Sequence, residues 1–297
     1  PTAVMRFLLP ISVVVQLADL EIALPPVHER LVSCAPSEAM KKAADMMQRK
    51  ICEAIGKDRF KAGRAGKLFG ALGHLPRYYD HATSDLGNGG GDWTIAYPPD
   101  TDMAGDPRVL HVEPGMDPST RLPKEEALVR EVRAALDRGR NVVVATVRTA
   151  LAQRLARILR EDTGISPALL DAKKVSAKNR REWVIGAKES GARILVCNPA
   201  ALPEGLNVLV GHFSTVCIYD DPNNDPTLLR QFRGRFVRIG QTEEVDFLVF
   251  VYASTIQADA NDLLQKKRVV AEATDGIDAS AAFEVAGVGE SAAFEND

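Results

Sequence analysis

The sequence predicts an α/β protein: a three-layer domain with a central parallel sheet covered by helices on both faces, preceded by an N-terminal helical and linker segment. Three observations predict it. From residue 121 onward, short β-branched runs alternate with amphipathic helical stretches, the rhythm of a sheet built from crossover units. The runs are apolar throughout, as in Val142-Val143-Val144, which suits strands buried on both faces. The chain has 297 residues, 45% hydrophobic and 26% charged, a composition that fits a globular protein of one large or two modest domains.

Residues 4–34 hold two β-like runs, Phe7–Leu17 and Arg30–Cys34, separated by the chain breaker Leu24-Pro25-Pro26. Residues 37–55 are rich in Ala, Met and Lys, and Ser37 is placed to cap a helix there. A second helix is expected over 64–81, ending before Pro76. Residues 83–120 carry Gly87, Gly89, Gly90, Gly91, Pro98, Pro99, Gly105, Pro107, Pro114, Gly115 and Pro118, so little regular structure is expected in them. Helices follow over Glu125–Arg138, Ala150–Glu161, Ser176–Ser190, Thr227–Phe236 and Ala258–Val270. Strands are expected over Asn141–Thr146, Leu169–Leu170, Arg193–Cys197, Val216–Tyr219 and Val245–Tyr252. The tail after Ala273 has little to pack. The organisation is therefore 1–82, an N-terminal helical segment; 83–120, an irregular insertion or linker; 121–272, the main α/β domain; and 273–297, a flexible tail.

The net charge is −3, so the chain lacks the bulk positive charge common in nucleic-acid binders, and any such contact must come from a local patch or a partner domain. The four cysteines, Cys34, Cys52, Cys197 and Cys217, form no C-x-x-C pair, which argues against a zinc ribbon and for a reducing compartment. The apolar run Phe7–Leu17 is too short and interrupted to span a bilayer, and no secretory leader is visible. The first residue is Pro, which suggests a piece of a longer protein. The five histidines show no metal-ligand spacing, and no nucleophile elbow occurs.

Chemistry concentrates in Gln231-Phe-Arg-Gly-Arg235-Phe-Val-Arg238-Ile-Gly-Gln241. Arg235 and Arg238 are three residues apart, a spacing that puts them on one face of a helix, with Gln231 one turn earlier. Paired guanidiniums offer planar donor forks that suit a polyphosphate. A second segment, Asn198-Pro-Ala-Ala-Leu-Pro-Glu204-Gly205-Leu206-Asn207, follows the expected strand Arg193–Cys197, where α/β folds bind ligands, and Gly205 would let the backbone approach a phosphate or sugar. Between them lies Ile218-Tyr-Asp220-Asp-Pro222-Asn223-Asn224-Asp225-Pro226, a strand closing on a polar turn. Upstream, Thr146 ends the run Asn141–Val147. The arginines that follow, Arg148, Arg154, Arg157 and Arg160, read as a solvated helix face, since Glu161 and Asp162 offset them and no aromatic residues interleave.

The pattern Q-x-x-G-R-x-x-R-I-G-Q resembles motif VI of superfamily-two helicases, and its I-G-Q ending resembles the Swi/Snf branch. Gly205-Leu206-Asn207 is similar to motif V, although the family has Ser or Thr where Asn198 and Pro199 stand here. Asn141–Val147 resembles motif IV. Leu24–Val32 resembles the crossing between the two lobes, which implies that residues 1–82 are the end of the first lobe and a helical crossing segment. The resemblance covers residues 121–270 well and about 20–80 weakly. It implies a second RecA-like motor lobe. In that reading Arg235 and Arg238 act on the ATP phosphates, Gly205, Asn207 and Gln231 line the nucleotide, and Thr146 and Asn198 meet nucleic acid, DNA before RNA. ATP and Mg2+ would be held mainly by the first lobe, because the chain has neither a G-x-x-x-x-G-K-S/T loop nor an acidic D-E-A-H-like box. Partners would be nucleic acid and that first lobe, with no membrane, in the cytoplasm or on the nucleoid. Two readings compete: a degenerate lobe kept as an interaction scaffold, and a sugar-nucleotide transferase lobe.

Overall fold

A computed structural model describes residues 25–58, 75–86, 91–97, 108–202, 209–220 and 226–274. A parallel six-stranded sheet organises them, in the order β1-β8-β7-β4-β6-β5. Its strands are β1 (Val27–Cys34), β4 (Val142–Ala145), β5 (Ala168–Leu170), β6 (Ile194–Cys197), β7 (Thr215–Ile218) and β8 (Val245–Tyr252). Every neighbouring pair is parallel. The central strands β4, β6 and β7 are buried at every position, as their unbroken apolar sequence requires.

Successive residues of one strand feed opposite layers. Val142 and Val144 join Ile194, Val196 and Cys217 in one cluster, with Leu128 and Val132 of α3 (Pro123–Asp137) and Leu151, Leu155 and Ile158 of α4 (Thr149–Thr163). Val143 and Ala145 join Leu195, Cys197 and Val216 in the other. That layer holds Val184 of α5 (Arg180–Glu189), Leu229 and Phe232 of α6 (Pro226–Arg233) and Leu264 of α7 (Ile256–Thr274). The three-layer parallel α/β architecture expected from the sequence is therefore present.

Three expectations need correction. The first concerns the domain boundary. Residues 27–34, expected in a crossing segment, form the edge strand β1, paired along its whole length with β8 from Val27↔Val245 to Cys34↔Tyr252. The β-branched character of both runs supports the pairing, and sequence separation hid it. The run Phe7–Leu17 lies outside the described residues.

The second concerns residues 83–120, which contain an antiparallel hairpin of β2 (Trp93–Tyr97) and β3 (Arg108–Glu113), closed at its base by a bridge between Thr83 and Met116. Glycine marks a close approach here, not an absence of structure. A Cβ on Gly115 would lie 2.3 Å from the Gly91 carbonyl oxygen and 2.5 Å from Ser84 Cα. Trp93 is buried and meets Tyr78 edge-on at 5.9 Å.

The third concerns the short helix α2 (Leu75–Tyr78), which begins where a helix was expected to end. Pro76 sits in its first turn, where a missing N–H costs nothing. Residues 59–74 lie outside the described residues. The helix expected at 37–55 is α1 (Glu38–Asp58), with the Ser37 hydroxyl accepting from Met40 N at 3.3 Å. Met40, Met47 and Ile51 of α1 pack with Trp93, Ile95 and Tyr252 into a third cluster, which joins the hairpin to the sheet edge.

Two buried cations, Arg154 and Lys124, fasten the hairpin segment to the α/β layers. Arg154 is not on a solvated face. Its Nε donates to Glu125 Oε1 at 2.6 Å and its Nη2 to Glu125 Oε2 at 3.0 Å, while Nη1 reaches Asp85 and the Pro118 carbonyl. Beside it, Lys124 Nζ donates to Asp80 Oδ1 at 2.9 Å under the ring of Tyr219. Glu125 and Lys124 are 0% exposed, so removing one partner strands a charge away from water. Arg154→Ala is expected to destabilise the chain by about 3–5 kcal/mol in urea unfolding, and Glu125→Gln in the same chain should recover part of the loss. Equal stabilities of the single and double variants would contradict this.

Candidate functional site

The carboxyl ends of the parallel strands leave the sheet along one edge. Ala145 of β4 and Leu170 of β5 are both register partners of Cys197 in β6, so Thr146, Asn198 and Asp171 emerge in one row. Open α/β sheets bind ligands at such edges.

Asn198 spends both ends of its amide within the chain. Its Oδ1 accepts from Ala200 N at 2.9 Å, capping the 3-10 turn Pro199–Ala201, and its Nδ2 donates to the Val147 carbonyl at 2.7 Å. It fastens the end of β4 to the turn after β6. Thr146, which follows β4, is 1% exposed. Gly205 and Asn207 lie outside the described residues.

The arginine segment differs from its sequence reading. Helix α6 stops at Arg233, and Arg235 and Phe236 close tighter turns onto the carbonyls of Phe232 and Arg233. Arg235 and Arg238 therefore do not share a helix face; they lie in the turn beyond it. Gly234 lets the last turn tighten, and Gly240, at φ 96, takes a left-handed conformation that an L side chain resists. Arg235 is 5% exposed, and its Nη1 donates to the Pro199 carbonyl at 2.8 Å. Arg238 is half-buried, with Nε on the Gly234 carbonyl at 2.6 Å. Gln231 is exposed on the last turn of α6. Gln241, the end of the I-G-Q run, is buried and holds the loop, its Nε2 donating to the carbonyls of Phe213 and Phe236. The edge thus carries Gln231 open, Arg238 half open and Arg235 clamped to the turn that Asn198 caps.

Sequence reading missed a cavity of about 150 Å³ at the ends of β4, β7 and β8, lined among others by Arg77, Asp80, Lys124, Arg148, Asp220 and Gln257. Gln257 Nε2 donates to Asp80 Oδ2 at 2.7 Å, and its Oε1 accepts from Tyr252 N. Asp220 accepts from Val147 N at 2.9 Å. Burial, then the nearby Asp80 charge, push the Asp220 carboxyl up to about 7, against the opposing pull of the Val147 N–H, Lys124 and the neighbouring Thr146 hydroxyl. Burial and the adjacent Arg77 lower the Arg148 guanidinium. One signal was present in the sequence. Arg154 is three residues after Leu151 and four before Ile158, inside the apolar stripe, where a solvated arginine has no place. Nothing comparable marked Asp80, which is 44 residues from Lys124.

No protein-family model matches the chain. The C-terminal part of the Fun30 ATPase domain superposes with a TM-score of 0.57 at 17% identity, covering 82% of this chain and 90% of that one. The chain shares the fold of that domain, a parallel three-layer RecA-like arrangement. The Swi2/Snf2 ATPase core of Sulfolobus solfataricus, solved with double-stranded DNA, superposes at a TM-score of 0.53 and 18% identity over 88% of this chain and 48% of that one. In sequence, the RNA polymerase-associated protein RapA of Yersinia pestis is 32% identical over 126 residues, 41% of this chain and 12% of RapA, as is its Yersinia pseudotuberculosis counterpart. The chain therefore matches about one eighth of the length of those relatives.

The Asp220 shift sets a pH dependence. A carboxyl whose folded pKa is raised stabilises the fold in its protonated form, and that contribution is lost as pH rises from the unfolded value near 4 through about 7. Asp220→Asn mimics the protonated form. Its melting temperature should exceed the parent's at pH 8, with the gap closing toward pH 5. A gap independent of pH would show that Asp220 does not titrate in this range.

Proposed function

We propose that the chain is the second motor lobe of an ATP-dependent nucleic-acid translocase or helicase, with duplex DNA as its track. The observation that carries this reading is the Arg235–Pro199 bond at 2.8 Å. It docks the motif VI-like turn on the turn after β6, so that the segment resembling a nucleotide sensor and the segment resembling a nucleic-acid contact meet at one sheet edge. The Sulfolobus core in complex with DNA and the polymerase-associated RapA support the choice of partner.

In this reading ATP lies between this edge and the first lobe, which supplies the phosphate loop and the carboxylates for Mg2+. The donor set here suits that division. Gln231, Arg235 and Arg238 offer an amide and two guanidiniums for phosphate oxygens. Arg238 is the arginine finger, neutralising charge that develops on the transferring phosphoryl group. Arg235 holds the turn and joins Arg238 at the nucleotide when the lobes close. Gly205 and Asn207 line the nucleotide from the neighbouring loop. Asn198 holds the loop that meets the DNA backbone, and closure and reopening of the lobes moves the track. The protein works in the cytoplasm or on the nucleoid; no described helix is long and apolar enough to cross a membrane.

The isolated chain should hydrolyse ATP no faster than buffer. Joined to its first lobe it should become a DNA-stimulated ATPase, in which Arg238→Ala lowers turnover by about 10²–10⁴ and Arg238→Lys does not restore it, since Lys lacks the planar fork. Steady-state hydrolysis with and without duplex DNA measures both. Hydrolysis by the chain alone would sink the reading, and an inert two-lobe protein that still bound partners would favour the scaffold.

A further inference from the structure

The cavity at the ends of β4, β7 and β8 takes no part in the proposed contacts with ATP or DNA, and its lining has two unlike parts. Ile218 of β7, Leu229 of α6, Val249 and Val251 of β8 and Leu264 of α7 make an apolar wall. The rest is charged or polar: Arg77, Asp80 and His81 from α2 and the residues after it, Lys124 from α3, Arg148 before α4 and Asp220 after β7. Helix α7 contributes to both parts. Ala260 and Leu264, and Asn261 and Gln265, are each four residues apart, so one apolar row and one amide row of this helix line the cavity.

Some of the polar groups satisfy one another. Asp80 takes Lys124 Nζ at 2.9 Å and Gln257 Nε2 at 2.7 Å. Others have no such partner. Among the described residues the Arg148 guanidinium forms no hydrogen bond and no ion pair; it is repelled by Arg77 and attracted by Asp220. The amides of Asn261 and Gln265 make no hydrogen bond among the described residues either. His81 is 3% exposed, and its Nδ1 lies 2.8 Å from the Arg77 carbonyl. A carbonyl only accepts, so Nδ1 carries the proton. Burial lowers the pKa of the ring and favours its neutral form, which leaves Nε2 as a buried acceptor with no partner.

These features define a ligand. Arg77, Lys124 and Arg148 stand against Asp80 and Asp220, so the lining favours an anion even with Asp220 ionised. The wall asks for an apolar body, His81 Nε2 asks for a donor, and a volume of about 150 Å³ is the size that holds a benzene ring. We infer that the cavity binds a small organic carboxylate whose compact apolar body carries a hydroxyl. The carboxylate meets Arg148 and the α7 amides, the body lies against Leu229, Val249 and Leu264, and the hydroxyl donates to His81.

The test is calorimetric titration of the full chain with 3-hydroxybenzoate and 4-hydroxybenzoate. At least one should bind saturably and raise the melting temperature. It should bind more tightly than its own amide, which lacks the charge, by about tenfold or more, and more tightly than acetate, which lacks the body. Benzoate, without the hydroxyl, should bind more weakly than the better hydroxybenzoate. Arg148→Gln should weaken binding by about tenfold with an unchanged melting temperature in the absence of ligand, since Arg148 is exposed and holds nothing within the chain. Ala260→Leu fills the cavity from α7 and should also abolish the tight binding. Failure of both hydroxybenzoates to bind overturns the inference. So does an amide or acetate that binds as tightly as the acid, or acid binding left unchanged by Arg148→Gln. Benzoate as tight as the better hydroxybenzoate overturns the role given to His81.

Discussion

Lys124 and Glu125 are consecutive residues of opposite charge in the first turn of α3, and neither keeps contact with water. They leave the helix in different directions. Glu125 takes the guanidinium of Arg154 from α4, and Lys124 takes the carboxylate of Asp80 from the segment after α2. Each charge is tolerable only because its partner is in place and the remaining donors and acceptors are used. Glu125 also accepts from Leu122 N, and Arg154 donates to the carbonyls of Pro118 and Thr120. The rest of the arrangement hangs on this. Arg154 reaches across to Asp85 and the Pro118 carbonyl, and Lys124 to Asp80, so a displacement of the hairpin unit leaves a charge unpaired in the interior.

The same constraint shapes the sheet edge. Asp80 is held close to Asp220 by Lys124 and Gln257, and its charge helps to lift the Asp220 carboxyl into the neutral range. Asp220 in turn accepts from Val147 N, the residue whose carbonyl takes the Asn198 amide. Asn198 caps the turn whose Pro199 carbonyl takes Arg235. A run of hydrogen bonds thus links Asp220, at the end of β7, to the arginine turn. It passes through backbone groups at the ends of β4 and β6, where the fold has no regular pairing to satisfy them.

Charge is distributed unevenly around this frame. Arg30, Arg121, Arg138, Arg140, Arg154, Arg157 and Arg233 each meet a carboxylate, which reduces the general attraction of a net acidic chain for a polyanion.

The sequence by itself determined the parallel α/β architecture, the positions of the helices and strands after residue 121, and the arginine segment with its helicase-like spacing. Those features are written locally, in apolar runs, helical periodicity and turn residues, and local propensity reads them. Tertiary structure decided the rest. That Val27–Cys34 is an edge strand depends on β8, more than two hundred residues away. That Arg154 is buried and Thr146 withdrawn depends on what packs over them. That Arg235 is clamped to Pro199 depends on where α6 ends, which Gly234 and the following turns settle. The cavity around Asp220 exists only because an aspartate from the segment after α2 meets a lysine from α3. Long-range electrostatic pairing has no period and no motif, so a linear reading sees the charges without seeing which of them will meet.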